Sequence, residues 1–76
     1  MREKKDYVVI TFHTTAEAMA MEEYCSRQAV RGRLIPVPRE ISAGCGIAWR
    51  MTEEEYAASK DRLPETEYEQ IVKIRM

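Results

Sequence analysis

The chain has 76 residues, a mass of 8.9 kDa and a formal charge of −1 at pH 7. A chain of this length builds one hydrophobic core, which excludes a large self-contained enzyme and predicts a single domain over residues 1–76. Hydrophobic residues make up 45% and charged residues 33%, a globular mixture that excludes a disordered tail, and the small net charge excludes a general attraction to nucleic acid or anionic membranes.

Two further features bear on where the protein resides. No apolar run reaches the ~20 residues that a membrane span needs, and the N-terminal residues 1–6 lead straight into Tyr7 without a signal-peptide core. The two cysteines are too few for a disulfide scaffold of this size. We therefore expect a cytoplasmic protein with free thiols and no membrane partner.

The first part of the chain predicts a strand followed by a helix. Residues 7–12 are β-branched, aromatic and apolar on both faces, which is typical of a central strand. Thr14 and Glu17 have capping-box spacing, and the sequence after them is rich in good helix formers. This predicts a helix from about 15 to 29, stopped by Gly32, with an apolar face made of Ala18, Met21, Cys25 and Ala29.

The middle of the chain predicts two strands joined by a loop. Residues 33–38 form an extended segment in which Pro36 and Pro38 lack N–H groups on the same lateral side, so this strand must lie at an edge of the sheet. Residues 39–46 have the composition of a loop. Residues 47–51 alternate large apolar side chains with Ala and Arg, as a half-buried strand does.

The last part predicts a second helix and a fourth strand. Thr52 and Glu55 repeat the capping-box spacing, and Pro64 would end the helix that follows. Apolar and polar residues then alternate from Tyr68 to Arg75, as in a strand.

These elements together predict an α+β domain of the ferredoxin-like type. The order βαββαβ predicts a four-stranded antiparallel sheet, strand order 4-1-3-2, with both helices on one face. That order makes the apolar first strand central and the proline-containing second strand an edge, in agreement with their sequences.

The predicted topology brings the loop around Cys45 to the start of the first helix. Strand and helix directions alternate, so the turn at residues 12–14 and the loop at residues 39–46 share one end of the sheet. The loop after the second helix joins them there. The unpaired N–H groups and partial positive charge of the first helix should therefore lie near Cys45.

Cys45 is the leading candidate for chemistry. Its surroundings favour a thiolate, because neighbouring glycines can turn backbone N–H groups towards an anion and a nearby guanidinium lowers a thiol pKa. The alternative is that this cysteine is a small buried residue that opens the third strand. On the first interpretation the residues that would bind the anion are Arg39, Ser42, Gly44, Gly46, His13 and Thr14.

The other reactive residue types have weaker cases. Cys25 lies in the apolar face of the first helix and should be buried and inert. Glu22 borders that face, where it either meets an arginine or reaches water. His13 could donate to a sulfur anion, shuttle a proton or be ordinary polar surface. The spacing of the Cys and His residues contains no metal motif, no phosphate-binding glycine motif occurs, and we expect no metal or cofactor.

RNA binding by the sheet is a further alternative. An RNA-recognition sheet exposes aromatic side chains on its central strands, and the candidates are Tyr7, Phe12 and Trp49. Trp49, however, shares a strand face with Ile47 and Met51, which indicates the core. Together with the charge, this argues against nucleic acid as a partner.

The segment from Ile35 to Ala48, IPVPREISAGCGIA, resembles the family known as putative Se/S carrier protein-like. The family pattern is a strand ending in Phe, a small polar turn, a helix with Ala-x-x-x-Glu and then I-P-x-P-R-x-I-S-x-x-C-G-x-A. Phe12, the turn at residues 13–15, and Ala18 with Glu22 match the earlier parts. The resemblance covers about the first two thirds of the chain, and the long second segment is its specific part.

The resemblance implies a small carrier that holds sulfur or selenium on Cys45 as a persulfide or selenyl-sulfide. It would take the atom from a desulfurase-like donor and pass it to an acceptor protein, acting as a thiol relay rather than a self-contained enzyme. The competing hypothesis is a non-catalytic ferredoxin-like interaction or regulatory module. Such a module could form a homodimer through its sheet.

Overall fold

The computed structural model of the chain describes residues 5–39, 41, 46–62 and 68–75. Among them, four strands and two helices follow one another in the predicted order. They are β1 (Asp6–Thr11), α1 (Thr15–Arg27), β2 (Arg33–Pro36), β3 (Ile47–Thr52), α2 (Glu53–Ser59), which continues as a 3₁₀ turn over Lys60–Arg62, and β4 (Gln70–Arg75).

The strands form one antiparallel sheet with β1 in its interior. The order across the sheet is β2-β3-β1-β4, and counted from the β4 edge the same arrangement is 4-1-3-2. In the register, Val9 of β1 lies opposite Arg50 of β3 on one side and Val72 of β4 on the other. The predictions of an α+β protein, a central first strand and an edge position for the proline-containing second strand are therefore confirmed.

The main core lies between the sheet and the helices. Val8, Ile10 and Phe12 point to this side, and each is almost completely buried. Both helices contribute to the same cluster, α1 through its apolar face and α2 through the partly buried Tyr56. Full burial of one such aliphatic or aromatic side chain contributes about 1.5–3 kcal/mol, so this layer holds the fold together. The remaining members of the cluster from α1 and β3 are Ala18, Met21, Cys25, Trp49 and Met51.

The opposite face of the sheet, here called the helix-free face, has a smaller apolar cluster. Its centre is Val9 and Ala48, which are fully buried, and Ile41 packs on both. The partly buried side chains around this centre are Ile35, Val37, Val72 and Ile74. Because strand residues alternate between the two faces, β1 can be apolar throughout and still bury every second side chain on each face.

Helix α1 ends two residues earlier than predicted, and its stop is not Gly32. Ala29 takes a left-handed conformation with φ 56°, and Val30 N–H donates to Cys25 C=O at 2.9 Å. This is the 6→1 hydrogen bond of a Schellman motif, and Val30 is buried in the main core with Cys25, the kind of apolar contact that frequently accompanies this motif. The prediction that Ala29 lies on the buried face of α1 is therefore wrong.

Gly32 instead provides a close packing contact. Its φ is 151°, and a Cβ placed on it would lie 2.6 Å from Cε2 and Nε1 of the Trp49 side chain. A distance this short is a steric clash, so only glycine allows the backbone to approach the indole ring so closely. Trp49 itself is 3% exposed on the helix-packed face, as its strand pattern predicts.

The second capping box is formed completely. Thr52 Oγ1 accepts the backbone N–H of Glu55 at 3.0 Å, and the Glu55 carboxylate accepts the backbone N–H of Thr52 at 2.9 Å. These bonds satisfy two of the otherwise unpaired donors at the start of α2. The predicted stop at Pro64 lies outside the described residues.

Within the residues that the structure describes, no helix is both long and apolar enough to cross a membrane.

Candidate functional site

The loop between β2 and β3 is closed at its base by a backbone hydrogen bond. Val37 N–H donates to Gly46 C=O at 3.0 Å, which extends the β2–β3 pairing by one further contact. Just inside this base, Ile41 N–H donates to Pro38 C=O at 3.0 Å and forms a tight turn. The predicted loop at residues 39–46 thus starts and ends at fixed positions.

Ile41 anchors the loop to the sheet. Its side chain is 8% exposed and packs against Val9 and Ala48 on the helix-free face. This burial holds the loop against that face at Ile41, while Arg39, two residues earlier, is exposed. The loop is therefore attached to the domain by an apolar contact as well as by hydrogen bonds.

Three of the predicted site residues belong to the middle of the β2–β3 loop. Ser42, Gly44 and Cys45 all lie outside the described residues, so the thiolate environment proposed for Cys45 stays a prediction. Gly46 has φ 79°, and no atom lies within 4 Å of a Cβ built on it. Its requirement for glycine is therefore one of backbone conformation alone.

The N-terminus of α1 is capped by hydrogen bonds that involve Thr14 and the carboxylate of Glu17. Thr14 Oγ1 accepts the backbone N–H of Glu17 at 3.2 Å, as the capping-box spacing predicts. The carboxylate of Glu17 accepts the backbone N–H of His13 at 2.7 Å and lies 3.3 Å from the His13 ring atom Nδ1. His13 and Thr14, two of the predicted anion-binding residues, are thus both engaged with Glu17.

This arrangement stabilises the charged form of Glu17. Desolvation of the carboxyl group opposes its ionisation, but the hydrogen bonds from the His13 backbone and ring, the charge of His13 and the hydrogen bond involving Thr14 outweigh it. They hold the pKa of Glu17 below its ordinary value of 4.5. If neutral His13 places its ring proton on Nδ1, facing the carboxylate, Nε2 is left as a proton acceptor.

The register of the sheet places these two features at the same end. Thr11 lies opposite Ala48, and Pro36 lies opposite Ile47, so the end of β1 adjoins both ends of the β2–β3 loop. The chain also returns to this end before β4, since Glu69 N–H donates to Thr11 C=O at 2.7 Å. The three connections therefore meet as predicted, with α1 packed on one face of the sheet and Ile41 on the other.

Cys25 is a core residue. Its side chain is fully buried in the main core, and burial raises the pKa of its thiol to about 11 from an ordinary value of 9.0. At neutral pH this thiol is protonated and shielded from solvent, so it is a poor nucleophile. The prediction that Cys25 is buried is confirmed.

The remaining alternatives from the sequence can now be compared with the structure. Glu22 is exposed, so of its two predicted environments the one that reaches water is confirmed. Phe12 and Trp49 are buried on the helix-packed face, which excludes both as an open platform for base stacking. In the described part of the chain, no three His, Cys, Asp or Glu side chains come close enough together to hold a metal ion.

Two contacts at this end were missing from the sequence prediction. The burial of Ile41 had one available signal, since it is the only large apolar residue between Arg39 and Gly46. The hydrogen bond from His13 N–H to the Glu17 carboxylate had a weaker signal in the sequence. The capping-box spacing predicted that Glu17 would accept the N–H of Thr14, whereas it accepts the N–H of His13, the residue before it.

The chain was compared with families, with curated proteins and with solved structures. A family model described as Putative Se/S carrier protein-like matches residues 7–73. No curated protein matches, and no solved structure does. The matched range takes in most of the chain, including the β2–β3 loop and both cysteines. The chain therefore belongs to the Putative Se/S carrier protein-like family.

Proposed function

We propose that this protein is a small sulfur or selenium carrier that holds the atom on Cys45 as a persulfide or selenyl-sulfide. The observation that carries the proposal is the contrast between the two cysteines of a Se/S carrier family member. Cys25 is sealed in the core with a pKa raised to about 11. Cys45 is the only other cysteine of the chain and follows the anchored Ile41 in the β2–β3 loop.

The proposed reaction is a transfer of sulfane sulfur between thiols. The Cys45 thiolate attacks the terminal sulfur of a donor persulfide, R–S–SH. A bond forms between Cys45 Sγ and that sulfur, the S–S bond of the donor breaks, and its electron pair leaves on the donor as R–S⁻. The oxidation level of the transferred atom is unchanged, so the step needs no oxidant or reductant. Release to an acceptor thiolate is the same reaction in reverse.

The predicted site residues would act on the anion that this reaction creates. The Arg39 guanidinium and the backbone N–H groups from Gly44 to Gly46 would stabilise it, with Ser42 as a further donor. The hydrogen bonds at the base of the loop support this role, because they attach both ends of the segment that carries these groups to the sheet. His13, whose backbone N–H already donates to Glu17, would contribute only through its ring, as a donor to the sulfur anion or as a proton shuttle.

The proposal includes the partners and the setting of the relay. Because the family is one of carriers, we infer a desulfurase-like donor protein and an acceptor protein, both docking at the loop end of the sheet. A reducing cytoplasm is the compartment in which such thiols persist. We also assign the βαββαβ arrangement to the ferredoxin-like fold, since both helices pack on one face of the antiparallel sheet.

The experiment that tests this proposal compares the two cysteines of the folded protein. Native protein at pH 7 is treated briefly with an alkylating reagent, and labelled positions are read by mass spectrometry. Cys45 should label at least ten-fold faster than Cys25. Treatment with inorganic polysulfide should then add sulfur to wild type and to Cys25→Ser, and should add none to Cys45→Ser.

Two results would contradict the proposal that this protein is a sulfur or selenium carrier. One is equally slow labelling of both thiols in the native protein. The other is a Cys45→Ser protein that still takes up sulfur and differs from wild type only in stability. Either result would favour the non-catalytic interaction module. Circular dichroism of each variant shows that loss of loading is not loss of folding.

A further inference from the structure

Two arginines lie directly opposite each other on the helix-free face. Arg33 of β2 and Arg50 of β3 are paired in the register of the sheet, so their side chains leave the same face at neighbouring positions. Like charges placed opposite one another across antiparallel strands are destabilising. Within the described residues neither arginine forms an ion pair with a carboxylate. Among the described residues, the two cations are therefore neighbours that lack an ion-pair partner.

The two arginines border an open cavity of about 270 Å³. It lies at the end of the sheet opposite the β2–β3 loop, where Tyr7 of β1 pairs with Thr52 at the end of β3. The backbone of Gly32, pressed against Trp49, forms part of its wall. The lining includes Tyr7, Gly32, Arg33, Arg50, Thr52 and Glu55.

The charged groups of the cavity have defined positions. The Arg50 guanidinium lies 4.6 Å from the centroid of the Tyr7 ring, a cation–π contact that favours one orientation of a long side chain. The carboxylate of Glu55 accepts the backbone N–H of Thr52 in the capping box. Glu55 is therefore held at the start of α2 and keeps its negative charge, so the two arginines and this one carboxylate leave the described lining with a net positive charge.

We propose that Arg33 and Arg50 form a binding site for a phosphoryl group. Guanidinium groups recognise phosphate and carboxylate oxygens through paired, parallel hydrogen bonds. A carboxylate has two oxygens, and a single guanidinium can engage both through two parallel hydrogen bonds. A phosphoryl dianion carries two charges and three oxygens, which matches two arginines held side by side. The site is distinct from the Cys45 loop, which lies at the other end of the sheet, and it does not depend on the sulfur relay.

The test is a titration of the full chain with inorganic phosphate at constant ionic strength, followed by ¹⁵N NMR. Phosphate should produce saturable shifts at Arg33, Arg50 and Tyr7, whereas sodium chloride should not. Arg50→Gln and Arg33→Gln should each weaken binding at least ten-fold. The matched control is Arg75→Gln, because Arg75 lies at the same end of the sheet but pairs with Asp6 at 3.5 Å outside this cavity. It should bind as wild type does.

A stability measurement gives a second readout. Without phosphate, Arg33→Gln should be at least as stable as wild type because it removes the repulsion. Phosphate should raise the melting temperature of wild type and leave that of Arg33→Gln unchanged. Shifts that grow linearly with phosphate, or that are the same in Arg75→Gln and Arg50→Gln, would overturn the proposal. Adenosine monophosphate in a parallel titration distinguishes the phosphoryl source, since tighter binding than phosphate indicates a nucleotide and equal binding indicates the free anion.

Discussion

The backbone of Gly32 lies against the indole ring of Trp49 so closely that a single added carbon would stand 2.6 Å from Trp49 Nε1. The same nitrogen is buried, and among the described residues it has no hydrogen-bond partner. An unpaired buried donor costs roughly 1–3 kcal/mol, so the contact has to be maintained by packing alone. The fit between these two residues fixes the turn from α1 into β2 and one wall of the arginine cavity.

Gly32→Ala should destabilise the protein by about 3 kcal/mol. The added Cβ meets Trp49, and φ 151° is a conformation that side chains other than glycine rarely adopt. The measurement is urea unfolding followed by tryptophan fluorescence. Gly46→Ala is the matched control, because its φ is also positive but no atom lies within 4 Å of the new Cβ.

For that control we expect a loss of about 1 kcal/mol, from backbone strain alone. If the two alanine variants were equally stable, the contact between Gly32 and Trp49 would not be a steric limit.

Ile41→Ala should cost about 2–3 kcal/mol, since it removes a side chain that is 8% exposed and packs on Val9 and Ala48. It should also release the β2–β3 loop, which hydrogen exchange would detect as faster exchange of the Val37 amide that donates to Gly46. Ile71→Ala provides the comparison, because Ile71 is 37% exposed and its truncation should change stability much less. Equal losses in the two variants would contradict the anchoring role of Ile41.

The thiol of Cys25 should make stability fall at alkaline pH. Its pKa is about 11 in the folded protein against an ordinary 9.0, so folding favours the protonated form. This contribution is fully present below pH 9 and is lost as the pH rises from 9 towards 11. The difference in urea midpoint between wild type and Cys25→Ala should therefore be smaller at pH 10 than at pH 7.5. A difference independent of pH would show that this thiol does not titrate on unfolding in that range.

Glu17 should have the opposite dependence on pH. Its pKa lies below 4.5 in the folded protein because the hydrogen bonds and charge at His13 and Thr14 outweigh desolvation. The stabilising contribution is present above pH 4.5 and is lost as the pH falls through the lower, folded value. Glu17→Gln should be less stable than wild type at pH 7 and equal to it in strong acid.

Glu23→Gln is the control for Glu17. Glu23 pairs with Arg27 on the surface of α1, where both side chains are more than half exposed. Exposed pairs of this kind contribute little, so the urea midpoint should hardly change at either pH. A Glu17→Gln variant that behaved like Glu23→Gln at pH 7 would show that the cap does not stabilise α1.

The elements that the sequence predicted best are those with strong local signals. The apolar run of β1, the prolines of β2 and the two capping threonines each depend on a few neighbouring residues, and all three appear where expected. The end of α1 was predicted wrongly because Ala29 adopts a left-handed conformation that glycine usually supplies. Nothing in the local sequence marks an alanine for that role, which accompanies the burial of Val30 in the main core, a contact between distant segments.

The candidate site was less predictable because it depends on contacts between distant segments. That the β1 end, the β2–β3 loop and the approach to β4 meet at one end follows from topology, and this part was predicted. The position of Ile41 on the helix-free face required knowing which side of the sheet the helices leave open. The opposition of Arg33 and Arg50 required the exact register of β2 against β3, which composition and periodicity do not give.

The interior position of β1 affects how the chain assembles. Both of its partners, β3 and β4, come later in the sequence, so β1 is synthesised before either strand with which it pairs. Until Gln70–Arg75 is in place, one side of β1 keeps unpaired amides beside Val8, Val9 and Ile10. Such long-range closure makes folding slow relative to a helical protein of the same size, and it leaves an apolar strand edge open to aggregation until β4 is paired.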